Sequence, residues 1–183
     1  MTMIFYDLLI AVFGLFGSLL LLRAYFWTLA ISPRDPIVGF IWRFTDWFVG
    51  PVAYVVKPKG NWEFSCLTAA LVVALVQTLL MREVTGFPAT PVAFLVAPIA
   101  LLVRWGIDLL VWMVLIYAIL SFMGPRYMGY MAFVGTMVDP FLRPFRRVIP
   151  RIGRFDVTPI ILFLILSILA RIVTPASMGM LIL

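Results

Sequence analysis

Four long apolar runs decide what this chain can fold into: Leu8 to Ile31, Phe64 to Met81, Val92 to Met123 and Pro159 to Val173. A hydrocarbon layer of about 30 Å is crossed by roughly 20 apolar residues rising about 1.5 Å each. Each run is therefore read as a helix that crosses a bilayer. Water is ruled out as the solvent by composition. Hydrophobic residues make up 64% of the 183 and charged residues 12%, against about 25% charged in a soluble domain. Too few polar side chains remain to cover so large a core. The third run is too long for one upright span, so its crossing is placed at Leu101 to Phe122. Pro91 to Ala100 would then be a kinked extension or an interfacial segment. Met1 to Asp7 carries no positive charge and no small-residue cleavage site follows, so the first run is expected to be retained.

Several function classes are disfavoured. Cys66 is the only cysteine and there is no histidine. An intrachain disulfide, a CxxC redox pair, a cysteine-rich metal site and the commonest haem ligand and general base are all missing. No metal, cofactor or catalytic residue is expected, and the chain is read as no enzyme.

The chain repeats itself. Displaced by 93 positions, the halves align without a gap. Phe40 falls on Phe133, Asp46 on Asp139, Phe48 on Phe141, Pro51 on Pro144 and Gly60 on Gly153. Glu63 and Asp156 keep their charge, and Ser65 meets Thr158 at the start of an apolar run. The expected organisation is a first repeat over 1–90 and a second over 91–183, each a pair of crossings joined by a loop. Two crossings per repeat make the repeats parallel. Basic residues concentrate in loops one and three: Arg34, Arg43, Lys57 and Lys59, then Arg126, Arg143, Arg146, Arg147, Arg151 and Arg154. Loop two has Arg82 alone. The positive-inside rule makes loops one and three cytoplasmic and puts both termini outside.

Loop three holds the most informative stretch, Asp139 to Pro159. On a helical wheel Phe141, Leu142, Phe145, Val148 and Ile149 share one arc, and Arg143, Arg146 and Arg147 lie opposite. Pro144 argues against a regular helix running from Asp139, so a short helix beginning near Pro144 is expected. Such a helix suits a membrane interface, where each basic residue near an anionic leaflet contributes about 1 kcal/mol. The plainer reading is that these arginines only set topology. Nucleic acid is a poor partner, because the aromatic residues sit on the apolar arc, away from the arginines. In loop one Phe48, Val49, Val52, Val55 and Val56 keep the arc, but the arginine positions become Gly50, Ala53 and Tyr54. That helix is expected to pack inside the protein or against a partner subunit.

Asp139, Pro140, Leu142, Pro144, Arg146, Arg147, Ile149, Pro150, Gly153, Asp156, Thr158 and Pro159 match a spaced pattern, and the stretch resembles the YggT family, also called YlmG. Leu-Leu-Arg23 looks like that family's start, and the resemblance covers nearly the whole chain. It implies a two-repeat protein of the bacterial inner membrane. Members are linked to osmotic or salt tolerance, to cell division and envelope organisation, and in plastids to cytochrome b6 assembly and nucleoid distribution. No enzymatic activity comes with it.

Charges also fall within the crossings. A charge at the bilayer centre costs about 2.5–3.5 kcal/mol. Arg23 is read either as snorkelling or, with Asp108, as lining an ion pathway. Arg104 and Asp108 stand one turn apart and form a local pair on the first of those readings. Asp46, Asp139, Glu63 and Asp156 are read as helix caps or, for Asp139 and Asp156, as partners of loop arginines. The function expected is a non-catalytic membrane organiser or assembly factor. It would dock anionic lipid, an unknown membrane protein or a second copy through Arg143, Arg146, Arg147, Arg151 and Arg154. The alternative is a channel or transporter component in osmotic or potassium homeostasis.

Overall fold

The computed structural model describes residues 2–57, 62–85, 91–123, 127–147 and 158–177, and every element among them is an α-helix. In chain order these are α1 (Thr2–Thr28), α2 (Pro36–Val55), α3 (Phe64–Thr85), α4 (Pro91–Phe122), α5 (Met128–Arg146) and α6 (Thr158–Ser177). Four are long and apolar enough to cross a membrane: Asp7–Thr28, Phe64–Glu83, Phe94–Ser121 and Thr158–Pro175. The chain is an all-helical membrane protein, and α2 and α5 lie in sequence between spans.

The end of α1 is set by local chemistry. Ile31 N–H donates to Phe26 C=O and Ala30 N–H to Trp27 C=O, both at 3.0 Å. This pair of bonds is a Schellman cap. Its turning residue, Ala30, has φ 52°, a conformation that costs a residue with a Cβ about 1–2 kcal/mol. The chain then restarts as a helix at once. Asp35 caps α2, its carboxylate accepting from Ile37 N–H at 2.9 Å and Val38 N–H at 3.5 Å. Pro36 takes the first helical position, where its missing N–H costs nothing.

Of the two readings of Pro91 to Ala100, the helical extension holds: the third crossing is a single helix from Pro91, continuous through Pro98, and its apolar span begins at Phe94 rather than at Leu101, which is a correction. Prolines are tolerated in membrane helices because neighbouring groups and local adjustment satisfy the freed backbone. The 28-residue span Phe94–Ser121 is about 42 Å long at 1.5 Å per residue, so it must tilt or extend beyond the hydrocarbon. Helix α5 also begins far earlier than Pro144, and Pro140 and Pro144 both lie inside it. Both prolines are exposed, as is Thr136, whose carbonyl Pro140 leaves without its usual donor. Pro144 does the same to Pro140. The lost bonds therefore fall on an outer face, where the cost is least.

The helices fall into two units. Unit 1 comprises Met1–Gly106 with Val173–Leu183. Its core joins Leu20 and Ala24 of α1, Val49 of α2, Cys66, Ala69, Ala70, Val73 and Ala74 of α3, and Leu101 and Trp105 of α4. The small residues of α3 recur at 3 and 4 spacing. They let backbones approach closely, which is how membrane helices associate when lipid removes the hydrophobic drive. Gly17 serves the same end on α1. A Cβ built there would collide with the Trp105 ring. Unit 2, Ile107–Ile172, buries Met113 and Val114 of α4, Met137, Val138 and Leu142 of α5, and Leu162, Leu166 and Ala170 of α6.

Candidate functional site

Two clusters of charge involve the helices that lie between the spans. The first is built around Arg23 in unit 1. Its side chain is only 7% exposed. Nη1 donates to Asp46 Oδ1 at 2.6 Å, Thr45 Oγ1 at 2.9 Å and the Trp42 carbonyl at 3.3 Å. Nε stands 3.5 Å from Glu63 Oε1, and the guanidinium lies 4.5 Å over the Trp42 ring. Thr45 holds its place by donating back to the Ile41 carbonyl at 2.7 Å. The single arginine of α1 thus gathers the middle of α2 and the residue just before α3.

This corrects two expectations. Arg23 does not end in water by snorkelling; it ends on protein carboxylates. Asp46 and Glu63 serve as its counter-ions, and Asp46 lies well inside α2, whose cap is Asp35. A buried arginine needs an acid, since an unpaired charge is costly in an apolar medium. Charge balance alone could have directed attention from Arg23 to Asp46 and Glu63. The cluster leaves Arg23 Nε, Trp42 Nε1 and Glu63 Oε2 buried without a hydrogen-bond partner.

The second cluster is on α5, in unit 2. Arg143 Nε donates to Asp139 Oδ2 at 2.7 Å, and Arg146 Nη1 to Asp139 Oδ1 at 2.8 Å. Arg146 Nη2 also donates to Tyr117 Oη on α4 at 3.2 Å. Asp139 therefore pairs with loop arginines and caps nothing, which resolves the two readings left open for it. The acid stands one turn before Arg143 and two before Arg146, the favourable order on a helix, and the arginines sit at the negative end of the dipole. Arg147 follows as the exposed C-cap residue and, among the described residues, forms no ion pair. The opposite face carries the buried Leu142 with the half-buried Phe141 and Phe145, as the wheel predicts for those three; Val148 and Ile149 lie outside the described residues. One carboxylate thus pairs two of three neighbouring guanidinium groups, and among the described residues this end of α5 keeps a net positive charge.

The remaining sequence candidates divide. Pro159 is buried near the start of α6. Pro150, Arg151, Gly153, Arg154 and Asp156 lie outside the described residues. Arg104 and Asp108 are both half-buried, one turn apart on α4. Arg104 donates to Thr174 Oγ1 of α6, a partner that hydropathy does not reveal. Among the described residues no three His, Cys, Asp or Glu side chains gather as metal ligands would.

The family model described as CCB3/YggT matches residues 2–84 and 96–177. The chain is 27% identical over 162 residues to "Uncharacterized protein YggT" of Escherichia coli strain K12, covering 88% of this chain and 85% of that one. It is 25% identical over 159 residues to "Uncharacterized protein in proC 3'region" of Vibrio alginolyticus, covering 86% of each. No solved structure matches.

Proposed function

The chain belongs to the CCB3/YggT family, and we propose that it acts as a non-catalytic organiser of the bacterial inner membrane that holds anionic lipid headgroups at the C-terminal end of α5. The observation that carries this reading is the unbalanced charge there: Asp139 against Arg143, Arg146 and Arg147 on a helix whose other face is buried in the protein. Arginine suits the role because its planar fork binds phosphate oxygens two at a time. Asp139 and Tyr117 hold Arg146 in place before any ligand arrives, which lowers the entropy lost on binding. The concentration of basic residues in loops one and three supports placing α2 and α5 on the cytoplasmic side with both termini outside. Roles in osmotic tolerance, cell division or complex assembly would follow from which lipids or proteins the loop gathers. Arg23 is occupied by two carboxylates, which supports a structural role for it rather than a place on an ion pathway.

The test uses the whole chain in neutral detergent, titrated with phosphatidylglycerol or phosphatidylcholine and read by native mass spectrometry. Retention of phosphatidylglycerol over phosphatidylcholine is expected, falling with salt and lost when Arg143, Arg146 and Arg147 are all changed to Gln. Equal retention of both lipids by the unaltered chain would overturn the reading.

A further inference from the structure

Helix α2 runs down alongside α1 rather than across its end. Trp42 stacks on Trp27 with ring centres 6.1 Å apart. Thr45 and Asp46 meet Arg23. Trp47 and Phe48 meet Phe16 at 5.7 and 5.5 Å. Phe44 also meets Phe16, at 6.4 Å, so the contacts of α2 lead from the Thr28 end of α1 back into the span. At 1.5 Å per residue Phe16 lies about 18 Å inside that end, past the middle of a layer about 30 Å thick. A second line of contacts also leads into the span, to a smaller depth of about 12 Å at Leu20. Val49 is fully buried in one cluster with Leu20 of α1 and Ala69, Ala70, Val73 and Ala74 of α3, and Val52 packs against it. Those α3 residues stand roughly 8–15 Å inside its Phe64 end.

The outer face of α2 is built for the same surroundings. Ile37, Phe40, Phe44, Trp47, Pro51 and Tyr54 follow one another at spacings of 3 and 4 and are all exposed. Phe40 and Trp47 are each 67% exposed. The buried stripe Val38, Ile41, Thr45 and Val49 lies on the other side. One face thus belongs to the protein; the other stays largely uncovered among the described residues, with Phe44 and Trp47 touching Phe16 at one edge.

We propose that α2 is a re-entrant helix embedded in the membrane, and that Phe40, Phe44 and Trp47 dock on the acyl chains of the leaflet that meets the C-terminal end of α1. Depth decides the occupant, because an uncovered side chain close to the level of Leu20, about 12 Å inside the Thr28 end, is surrounded by hydrocarbon. The helix enters and leaves on one side: Asp35 follows the end of α1, and Glu63 returns beside Arg23. The Arg23–Asp46–Glu63 ion cluster marks the rim that α2 passes on its way in. An element inserted into one leaflet displaces acyl chains there and not in the other. The proposal is independent of the headgroup reading of α5, which concerns a different helix and a different part of the lipid.

The experiment places a nitroxide on single cysteines at Phe40, Phe44 and Trp47 in a Cys66→Ala background, with Leu15 of α1 as the mid-span reference. The chain is reconstituted in vesicles of phosphatidylethanolamine and phosphatidylglycerol, and collision with oxygen is compared with collision with a water-soluble nickel chelate. The expected result is oxygen access with nickel exclusion at Phe44 and Trp47, deepening from Phe40 to Trp47 but staying shallower than Leu15. Nickel access at Phe44 and Trp47 would place α2 at the surface and overturn the proposal. Exclusion of both reagents would mean a protein partner, such as a second copy, covers the face, and would overturn it too. The unmodified chain provides a check free of substitutions. A carbene precursor dissolved in the bilayer should label the tryptic peptide Phe44 to Lys59 as heavily as α1, and an unlabelled peptide would overturn the proposal.

Discussion

Replacing Arg23 with Met should cost far more than removal of a surface charge. The side chain is 7% exposed and Glu63 beside it 6%, whereas Asp46 is 58% exposed. Asp46 loses its partner but, exposed at the rim where α2 enters the layer, keeps access to water, and an exposed ion pair contributes only about 0.2–1 kcal/mol. Glu63 has no such recourse. Its Oε2 already lacks a partner, and without Arg23 it is left as a buried charge with no cation. Breaking a buried pair from one side costs about 3–5 kcal/mol. Replacing both members with groups of similar shape costs much less. The double variant Arg23→Met with Glu63→Gln should therefore be more stable than Arg23→Met alone, by about 1–3 kcal/mol. The assay is reversible unfolding in mixed micelles of neutral detergent and SDS, with all four members of the cycle measured. If Arg23→Met costs less than about 1 kcal/mol, or if the double variant is no more stable than the single one, the ion cluster is not the buried junction described here.

Three further outcomes are expected. Gly17→Ala should destabilise by about 1–3 kcal/mol by overpacking, since the added methyl meets the Trp105 ring. The same unfolding assay on Gly17→Ala with Trp105→Leu should recover part of the loss, and no recovery would mean the close approach is elsewhere. Ala30→Gly should stabilise by about 1 kcal/mol by relieving the left-handed turn; unchanged stability would show that Ala30 carries no strain. Asp35→Ala should cost about 0.5–2 kcal/mol and Asp35→Asn much less, because asparagine still caps; equal losses would point to charge rather than capping.

The spans were legible because lipid imposes a simple rule: an apolar run of sufficient length is read the same way whatever packs on it. The apolar arc of α5 was legible for a related reason, with Leu142 buried and Arg143 and Arg147 exposed. Helix boundaries near proline were not. The rule that proline breaks a helix assumes that its lost bond is costly, and at Pro140 and Pro144 the freed carbonyls belong to exposed residues. The partners of the charges were also hidden. Asp46 stands 23 residues from Arg23, Tyr117 stands 29 from Arg146, and Thr174 stands 70 from Arg104. No local pattern specifies which acid or hydroxyl a membrane arginine will reach. The start of α2 was available in the sequence, since Asp35-Pro36 pairs a capping residue with a first-turn proline. It was obscured by the surrounding prolines, which read as a loop.

The central claim, that the C-terminal end of α5 gathers anionic lipid, is tested most directly by the lipid the protein carries out of its own membrane. The chain is extracted into polymer-bounded discs without detergent, and its co-purified lipid is compared with the bulk membrane. The account predicts enrichment in anionic lipid for the unaltered chain, and bulk composition once Arg143, Arg146 and Arg147 are changed to Gln. Bulk composition around the unaltered chain, or the same enrichment around the variant, would contradict it.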